Sequence, residues 1–287
     1  MLIITGASGQ LGRKIAEHLL DLVPAERIGV SVRDPAKVAD LAGRGIRVRQ
    51  GNYDDPGSLH DAWEGAERLL LVSSNAAATG GDPLKQHAAA VDVACDIGVK
   101  RVFYTSQVSS SPTSHFPPGR DHAATEAMLA ESGLSWTALR HGFYAASALR
   151  MNARGFEAGT LAAPKDGKVA WATHDDLASA DAALLAGAHV IDGPTPPLTG
   201  RQALDLSDLA QLASEIMDKP VSRTVTSEAE MESNARRAGA PEGSIAVMLG
   251  YYRAAREGEF ARLDPTLAQL IDRTPQSMRA LMKQTLG

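Results

Sequence analysis

Short apolar runs alternate with stretches of helical periodicity along the first half of the chain, and that alternation gives the first reading of its fold. Leu2-Ile3-Ile4 is an apolar run of strand length. Leu11, Ile15, Leu19 and Leu22 follow at helical spacing, until Val23-Pro24 stops the helix. Residues 27–33 predict a second strand closed by Pro35, residues 36–42 a helix, and residues 46–50 a third strand with alternating faces. Asp55 is placed to cap a helix with Pro56 at its first position, which runs over 58–64. The plainest strand is Leu69-Leu70-Leu71-Val72, apolar throughout like strands buried on both faces. A helix over 84–97 stopped by Gly98, a strand over 101–106, a helix over 121–131 and a strand over 136–140 complete the series. Such alternation predicts an α/β fold with a doubly wound parallel sheet.

From Tyr144 the rhythm changes. A helix is expected over 145–151, then small strands and turns around Gly155, Gly159, Pro164 and Gly167, and an alanine-rich helix over 176–185. The prolines between Pro194 and Leu198 forbid an interior strand there. Three helix starts follow: Ser207 with Asp208, Ser227 with Glu230 as a capping box, and Thr274 with Pro275. The expected division is residues 1–143 as one domain, with a segment near 175–200 returning to it. Residues 144–287 then form a smaller, mainly helical C-terminal lobe.

Composition narrows the partners. A net charge of -5 argues against general nucleic-acid binding. The single cysteine, Cys95, excludes an internal disulfide and a cysteine-rich metal site, and reads as a small core residue. No run is long enough to span a membrane, and the N-terminus lacks the pattern of a signal peptide, so a cytoplasmic protein is expected. No histidine pair has the spacing of a zinc helix, and no metal is expected.

The chemistry sits in the first turn. Gly6, Gly9 and Gly12 recur within Gly6-Ala7-Ser8-Gly9-Gln10-Leu11-Gly12, between the first strand and the first helix. That is the setting of a dinucleotide-binding fingerprint. The first glycine permits the sharp turn, the second lets backbone approach a pyrophosphate, and the third lets helix and strand pack closely. The helix N-terminus then faces the phosphates. About 20 residues on, an acidic side chain holds the ribose 2′-hydroxyl of NAD, whereas arginine accommodates the 2′-phosphate of NADP. Arg33 occupies that place and points to NADP; the adjacent Asp34 leaves NAD open. Asn52 and Tyr53 fall at a strand end beside the expected adenine. The segment 109–119, rich in serine and proline, is too long for a simple connection. Long loops of this kind are functional or disordered, and its place after a sheet strand favours a substrate loop.

Short-chain reductases commonly pair a catalytic tyrosine with a lysine four residues on. The five tyrosines here are followed at that distance by Gly57, Val108, Ala148, Ala255 and Arg256, so that device is missing. The segments from Ile3 to Gly12 and from Val32 to Lys37, Tyr104-Thr105-Ser106, His122-Ala123-Ala124-Thr125-Glu126 and Leu139-Arg140-His141-Gly142-Phe143-Tyr144 resemble the NmrA-like branch of the atypical short-chain reductases. Its quinone-reducing and triphenylmethane-reducing members are the most similar. The resemblance spans essentially the whole chain. It implies a Rossmann-type domain, dissociable NADPH, no flavin and no metal.

It also implies a site. Gly6 to Gly12 and Arg33 would hold the pyrophosphate and 2′-phosphate, and Ser73 and Ser74 would line the ribose–nicotinamide side. Tyr104, Thr105, Ser106 and Gln107, with His141, Gly142, Phe143 and Tyr144, would frame nicotinamide and substrate. His122 falls where the related isoflavone reductases carry a catalytic lysine. The chain departs from the family at Asn52, where Asp is usual, and at His141, where Asn is usual. Each assignment has a structural alternative. His122 and Glu126 have the spacing of a surface i,i+4 pair, His141 is otherwise a satisfied strand-end histidine, and Phe143 and Tyr144 are otherwise core. The expected activity is hydride transfer from NADPH to a quinone or similar small electrophile, with His122, His141 and Tyr144 as candidate catalytic groups. Reduction of triphenylmethane-type dyes and a non-catalytic dinucleotide sensor are the alternatives. Monomer and homodimer are both compatible with the sequence.

Overall fold

The computed structural model describes the backbone of residues 1–287 and all side chains except those of residues 78 and 79. The first half alternates β1 (Leu2–Thr5), α1 (Gln10–Leu19), β2 (Ile28–Val32), α2 (Ala39–Gly43), β3 (Arg47–Gln50), α3 (Pro56–Ala62), β4 (Arg68–Leu71), α4 (Pro83–Asp96), β5 (Arg101–Gln107), α5 (Pro117–Glu131) and β6 (Ser135–His141). The second half comprises β7 (Phe143–Tyr144), α6 (Ala145–Ala158), β8 (Thr160–Pro164), β9 (Val169–Ala172), α7 (His174–Ala186), β10 (Gly193–Pro194), β11 (Ala203–Leu204), α8 (Leu206–Met217), β12 (Ser222–Thr226), α9 (Glu228–Arg237), α10 (Glu242–Arg256), α11 (Thr266–Leu270) and α12 (Met278–Leu286).

The main sheet has seven strands in the order β10-β6-β5-β4-β1-β2-β3, paired in parallel throughout. Even-numbered residues of β1 and β4, such as Ile4 and Leu70, pack beneath α1 and α7 with Leu11, Ile15, Leu177 and Leu184. Odd-numbered ones, such as Ile3, Leu69 and Leu71, pack beneath α3, α4 and α5 with Leu59, Trp63, Val91 and Leu129. A strand buried on both faces cannot alternate apolar with polar, which is why these segments read as continuous apolar runs. The strand order reverses between β1 and β4. At such a switch point the carboxyl-end connections diverge and leave a crevice for ligands.

The second core gathers Phe116, Phe156, Trp171, Tyr251 and Phe260 between α6, α8, α10 and α12. Small sheets β11-β9-β7 and β12-β8 frame it. α7 and β10 go back to the main sheet, where β10 continues its edge beside β6. No helix among the described residues is long and apolar enough to cross a membrane.

Several local expectations need correction. α1 ends at Leu19, leaving Leu22 51% exposed. α5 starts at Pro117, ahead of residue 121, because the first helical turn needs no donor from Pro117 and Pro118. α6 runs on to Ala158 and is closed by Gly159 at φ 75°. α8 is capped by Asp205 rather than Ser207. The Asp205 carboxylate accepts from the Ser207 and Asp208 amides at 2.9 and 3.0 Å, and Asp208 accepts from the Asp205 amide at 2.9 Å. α12 starts after Ser277, not at Thr274, because the Gln276 amide donates to Asp176 at 2.8 Å and holds that segment against α7. Cys95 is exposed. The buried residues of α4 are His87, Ala90, Val91, Val93 and Ala94, and Cys95 lies one position past them.

A close backbone approach joins α1 to the turn before it. A Cβ at Gly12 would lie 2.6 Å from the Gly6 carbonyl oxygen. Gly12→Ala is therefore expected to destabilise the protein by about 1–3 kcal/mol. Urea unfolding checks this, and an unchanged midpoint would mean that α1 has room to shift.

Candidate active site

At the crevice, Gly6 adopts φ +65°, and a Cβ there would meet Val72 at 3.2 Å. The Gly9 amide donates back to the Gly6 carbonyl at 2.9 Å, which closes the turn. Gly9 is the N-cap of α1, with no side-chain cap and no acidic residue in the first turn. The leading N–H groups of α1 are thus left for an anion, aided by the positive end of the helix dipole. Ser8, Gly9 and Gln10 are exposed on this rim, while Ala7, Leu11 and Gly12 face the core. The turn fits a pyrophosphate.

The end of β2 presents a cation. Arg33 is exposed, and its guanidinium has no partner among the described residues; its carbonyl accepts from Gln50 Nε2 at 3.3 Å. Asp34 is occupied by the Ala36 amide at 3.1 Å and lies 3.9 Å from Lys37. The free charge here is positive, which suits a 2′-phosphate.

Asn52 and Tyr53 are committed to the protein by their polar oxygens. Asn52 Oδ1 accepts from the Asp54 amide at 3.2 Å. The Tyr53 hydroxyl donates to the Val72 carbonyl at 2.9 Å and sits 2.5 Å from Thr5 Oγ1, which accepts from the Val72 amide at 2.8 Å. This seam fastens β1 to the end of β4, and burial pushes the phenol pKa well up. Thr105 and Ser106 are likewise buried. Thr105 Oγ1 accepts from the Ser73 amide at 2.8 Å, and Ser106 donates to Glu126 at 2.6 Å. Their hydroxyls position the rim of the crevice. Gln107 Oε1 accepts from the Ser109 amide at 2.8 Å and from the Ser109 hydroxyl, while its Nε2 is buried without a hydrogen-bond partner.

Opposite the glycine turn, His122 Nδ1 lies 2.8 Å from the Tyr104 hydroxyl. Its Nε2 has no partner among the described residues and keeps some exposure. Desolvation, then the positive potential of His87 and His141, lowers its pKa to about 3. Burial raises that of Tyr104. At neutral pH the imidazole is uncharged and the phenol protonated. The surface pair His122–Glu126 does not form. Glu126 is buried and takes Arg140 Nε and Nη2 at 3.1 and 2.6 Å.

His141 is 1% exposed and lies behind the crevice rather than on its wall. Its Nε2 is 3.0 Å from Asp181 Oδ1, while Nδ1 and Asp181 Oδ2 are buried without partners. Tyr144 stacks on His174 with ring centroids 4.3 Å apart, and desolvation lowers His174 to about 4. His174 was not among the expected residues; its only sequence signal is its place at the head of an alanine-rich helix. Phe143 is the hub of an aromatic cluster, 5.0 Å from Tyr251, 5.3 Å from Phe260 and 5.7 Å from Trp171. A further cavity of about 400 Å³ is lined by Trp171, Arg201, Leu204 and Met278 and has none of the expected site residues in its lining.

Residues 6–186 match the model of a family described as NAD(P)H-binding. The chain belongs to this NAD(P)H-binding family. Its match runs from Gly6 of the turn to the last residue of α7. Quinone oxidoreductase 2 of Escherichia coli is 36% identical over 94% of this chain and 93% of its own. The crystal structure of that protein with NADPH superposes with a TM-score of 0.93, covering all of both chains. Triphenylmethane reductase of Citrobacter sp., solved with NADP(H), gives 0.90 at 31% identity over all of both chains. An NmrA-like family oxidoreductase of Aspergillus flavus, flvB, is 29% identical over 99% of this chain and 94% of its own.

His87 is fully buried, and desolvation lowers its pKa to about 4. An unfolded histidine titrates near 6.5. Between those values the unfolded chain binds a proton that the folded chain refuses, so stability is complete above pH 6.5 and falls as pH drops towards 4. At pH 5 His87 accounts for a loss of about 2 kcal/mol relative to pH 8. Urea unfolding at both pH values should show the loss, and His87→Gln should reduce it. An undiminished loss in the variant would place the proton uptake elsewhere.

Proposed function

We propose that this protein is an NADPH-dependent oxidoreductase that reduces quinones. The full-length likeness to the E. coli quinone oxidoreductase carries the reading. The glycine turn and uncapped α1 would hold the pyrophosphate, Arg33 the 2′-phosphate, and Ser73 and Ser74 the ribose–nicotinamide side. When bound, the dinucleotide supplies a hydride.

A quinone that has taken up hydride carries negative charge on oxygen. His122 would answer that charge as a neutral donor in the tautomer that carries its hydrogen on Nε2, with the Tyr104 hydroxyl donating to Nδ1 at 2.8 Å in preference to Ser73 Oγ at 3.4 Å. Neither group gives up a proton easily at neutral pH, because burial disfavours both imidazolium and phenolate. The second hydrogen of the hydroquinone therefore arrives from water as a proton, and His122 stabilises the oxyanion until then. A quinone is electrophilic enough for positioning to supply the remainder of the rate. Tyr144, stacked on His174, and the open edge of Phe143 offer it a flat, uncharged wall. His141, sealed against Asp181, supports that wall from behind.

Oxidation of NADPH by the purified protein with para-benzoquinone, followed against a control without enzyme, should be saturable. Tight NADPH binding without turnover, on this quinone and on a panel of triphenylmethane dyes, would overturn the enzymatic reading in favour of a sensor. Arg33→Ala should weaken NADPH binding by about tenfold to a hundredfold, the loss of a charge-assisted bond, and spare NADH. Equal losses for the two dinucleotides would remove the 2′-phosphate role from Arg33.

A further inference from the structure

The loop after β4 is gripped from beneath by two consecutive residues of α4. Gln86 Oε1 accepts from the Ser74 hydroxyl, and Gln86 Nε2 donates to both oxygens of Asp54 at 2.8 Å. His87 Nε2 accepts from the Ser74 amide at 2.9 Å. That bond fixes the tautomer. A backbone N–H only donates, so Nε2 is the unprotonated nitrogen and the ring hydrogen is on Nδ1. Nδ1 then donates to Thr125 Oγ1 at 2.8 Å, and Thr125 donates to the Asp121 carbonyl at 2.9 Å. Every donor and acceptor in this chain is used once, in one direction, from the β4 loop to the backbone of α5 one residue before His122. The His87 ring also stands edge-on to Tyr104 at 5.4 Å, and Tyr104 holds His122.

We infer that His87 is a positioning residue for the dinucleotide. As the acceptor that holds the Ser74 amide, it fixes the Ser73–Ser74 rim opposite the glycine turn, and it ties that rim to the turn of α5 that carries His122. A fully buried histidine of purely packing value needs no such directional chain. The inference rests on the proposed role of Ser73 and Ser74 at the cofactor. The E. coli relative was solved with NADPH, but no residue role for His87 follows from that likeness.

Glutamine and asparagine separate its two nitrogens. A glutamine oxygen reaches about where Nε2 stands, whereas an asparagine side chain ends near Nδ1. His87→Gln should therefore keep the Ser74 bond and bind NADPH within about threefold of the parent. His87→Asn should keep only the Thr125 side and bind about tenfold more weakly. Hydrogen exchange in the 73–76 segment should be faster in the Asn variant than in the Gln variant, with or without turnover. Equal NADPH affinity and equal exchange in the two variants would overturn the role of His87. Failure of the unaltered protein to bind NADPH would instead overturn the cofactor reading, and the exchange comparison would still decide whether His87 holds the rim.

Discussion

The approach of α1 to the turn before it is the contact on which the rest of the site is aligned. Only the absence of a side chain at Gly12 lets the helix stand against the Gly6 carbonyl, and only at that distance do its leading N–H groups open into the crevice. The same turn runs beside Val72, just past the end of β4, where a Cβ on Gly6 would be crowded. Thr5 and Tyr53 secure that end, and His87 and Gln86 secure the loop beyond it. The rim is thus fastened layer by layer, from backbone sterics to buried hydrogen bonds.

Charge is distributed unevenly along this crevice. The proposed phosphate end has backbone N–H groups, a helix dipole and the exposed guanidinium of Arg33. Towards the proposed hydride end the ionisable rings are neutral: burial holds His122 and His174 uncharged and keeps the phenols of Tyr104 and Tyr144 protonated. Under the proposed reading such an arrangement would anchor an anionic cofactor by one end and offer an uncharged acceptor a hydrogen-bond donor without a strong field. It would also remove the need for a tyrosine–lysine pair, whose purpose is to make a phenol acidic.

The parallel sheet was legible in the sequence because β1 and β4 are buried on both faces and read as apolar runs, and because strand-length segments alternate with helical periodicity through residue 140. The glycine turn was legible because its residue types follow from sterics. Helix starts were less so. Asp205, Ser207 and Asp208 all have capping side chains, and only the entry angle of the chain decides that Asp205 caps α8. Thr274 likewise lost its cap position to a distant contact, the Gln276 amide on Asp176. The proposed catalytic side mixed both cases. His122 was singled out through resemblance, but its pairing with Tyr104, on β5 and 18 residues earlier, is beyond the reach of helical spacing. Asp181 and His174 left no local signal, since their roles exist only once α7 packs beside β6 and Tyr144.

The return of α7 to the main sheet has a consequence for synthesis. The face of β1, β2 and β4 that carries Ile4, Val30 and Leu70 is covered in part by α7, whose Leu177, Ala178 and Leu184 lie more than a hundred residues later in the chain. While the first half emerges from the ribosome, that apolar face has only part of its cover. The long-range pairing of β10 with β6 and of α7 with α1 must wait, and such non-local contacts slow folding and prolong exposure of sticky surface. A chain truncated before α7 would still contain the whole glycine fingerprint and six of the seven strands, yet it would present an uncovered core face to every neighbour.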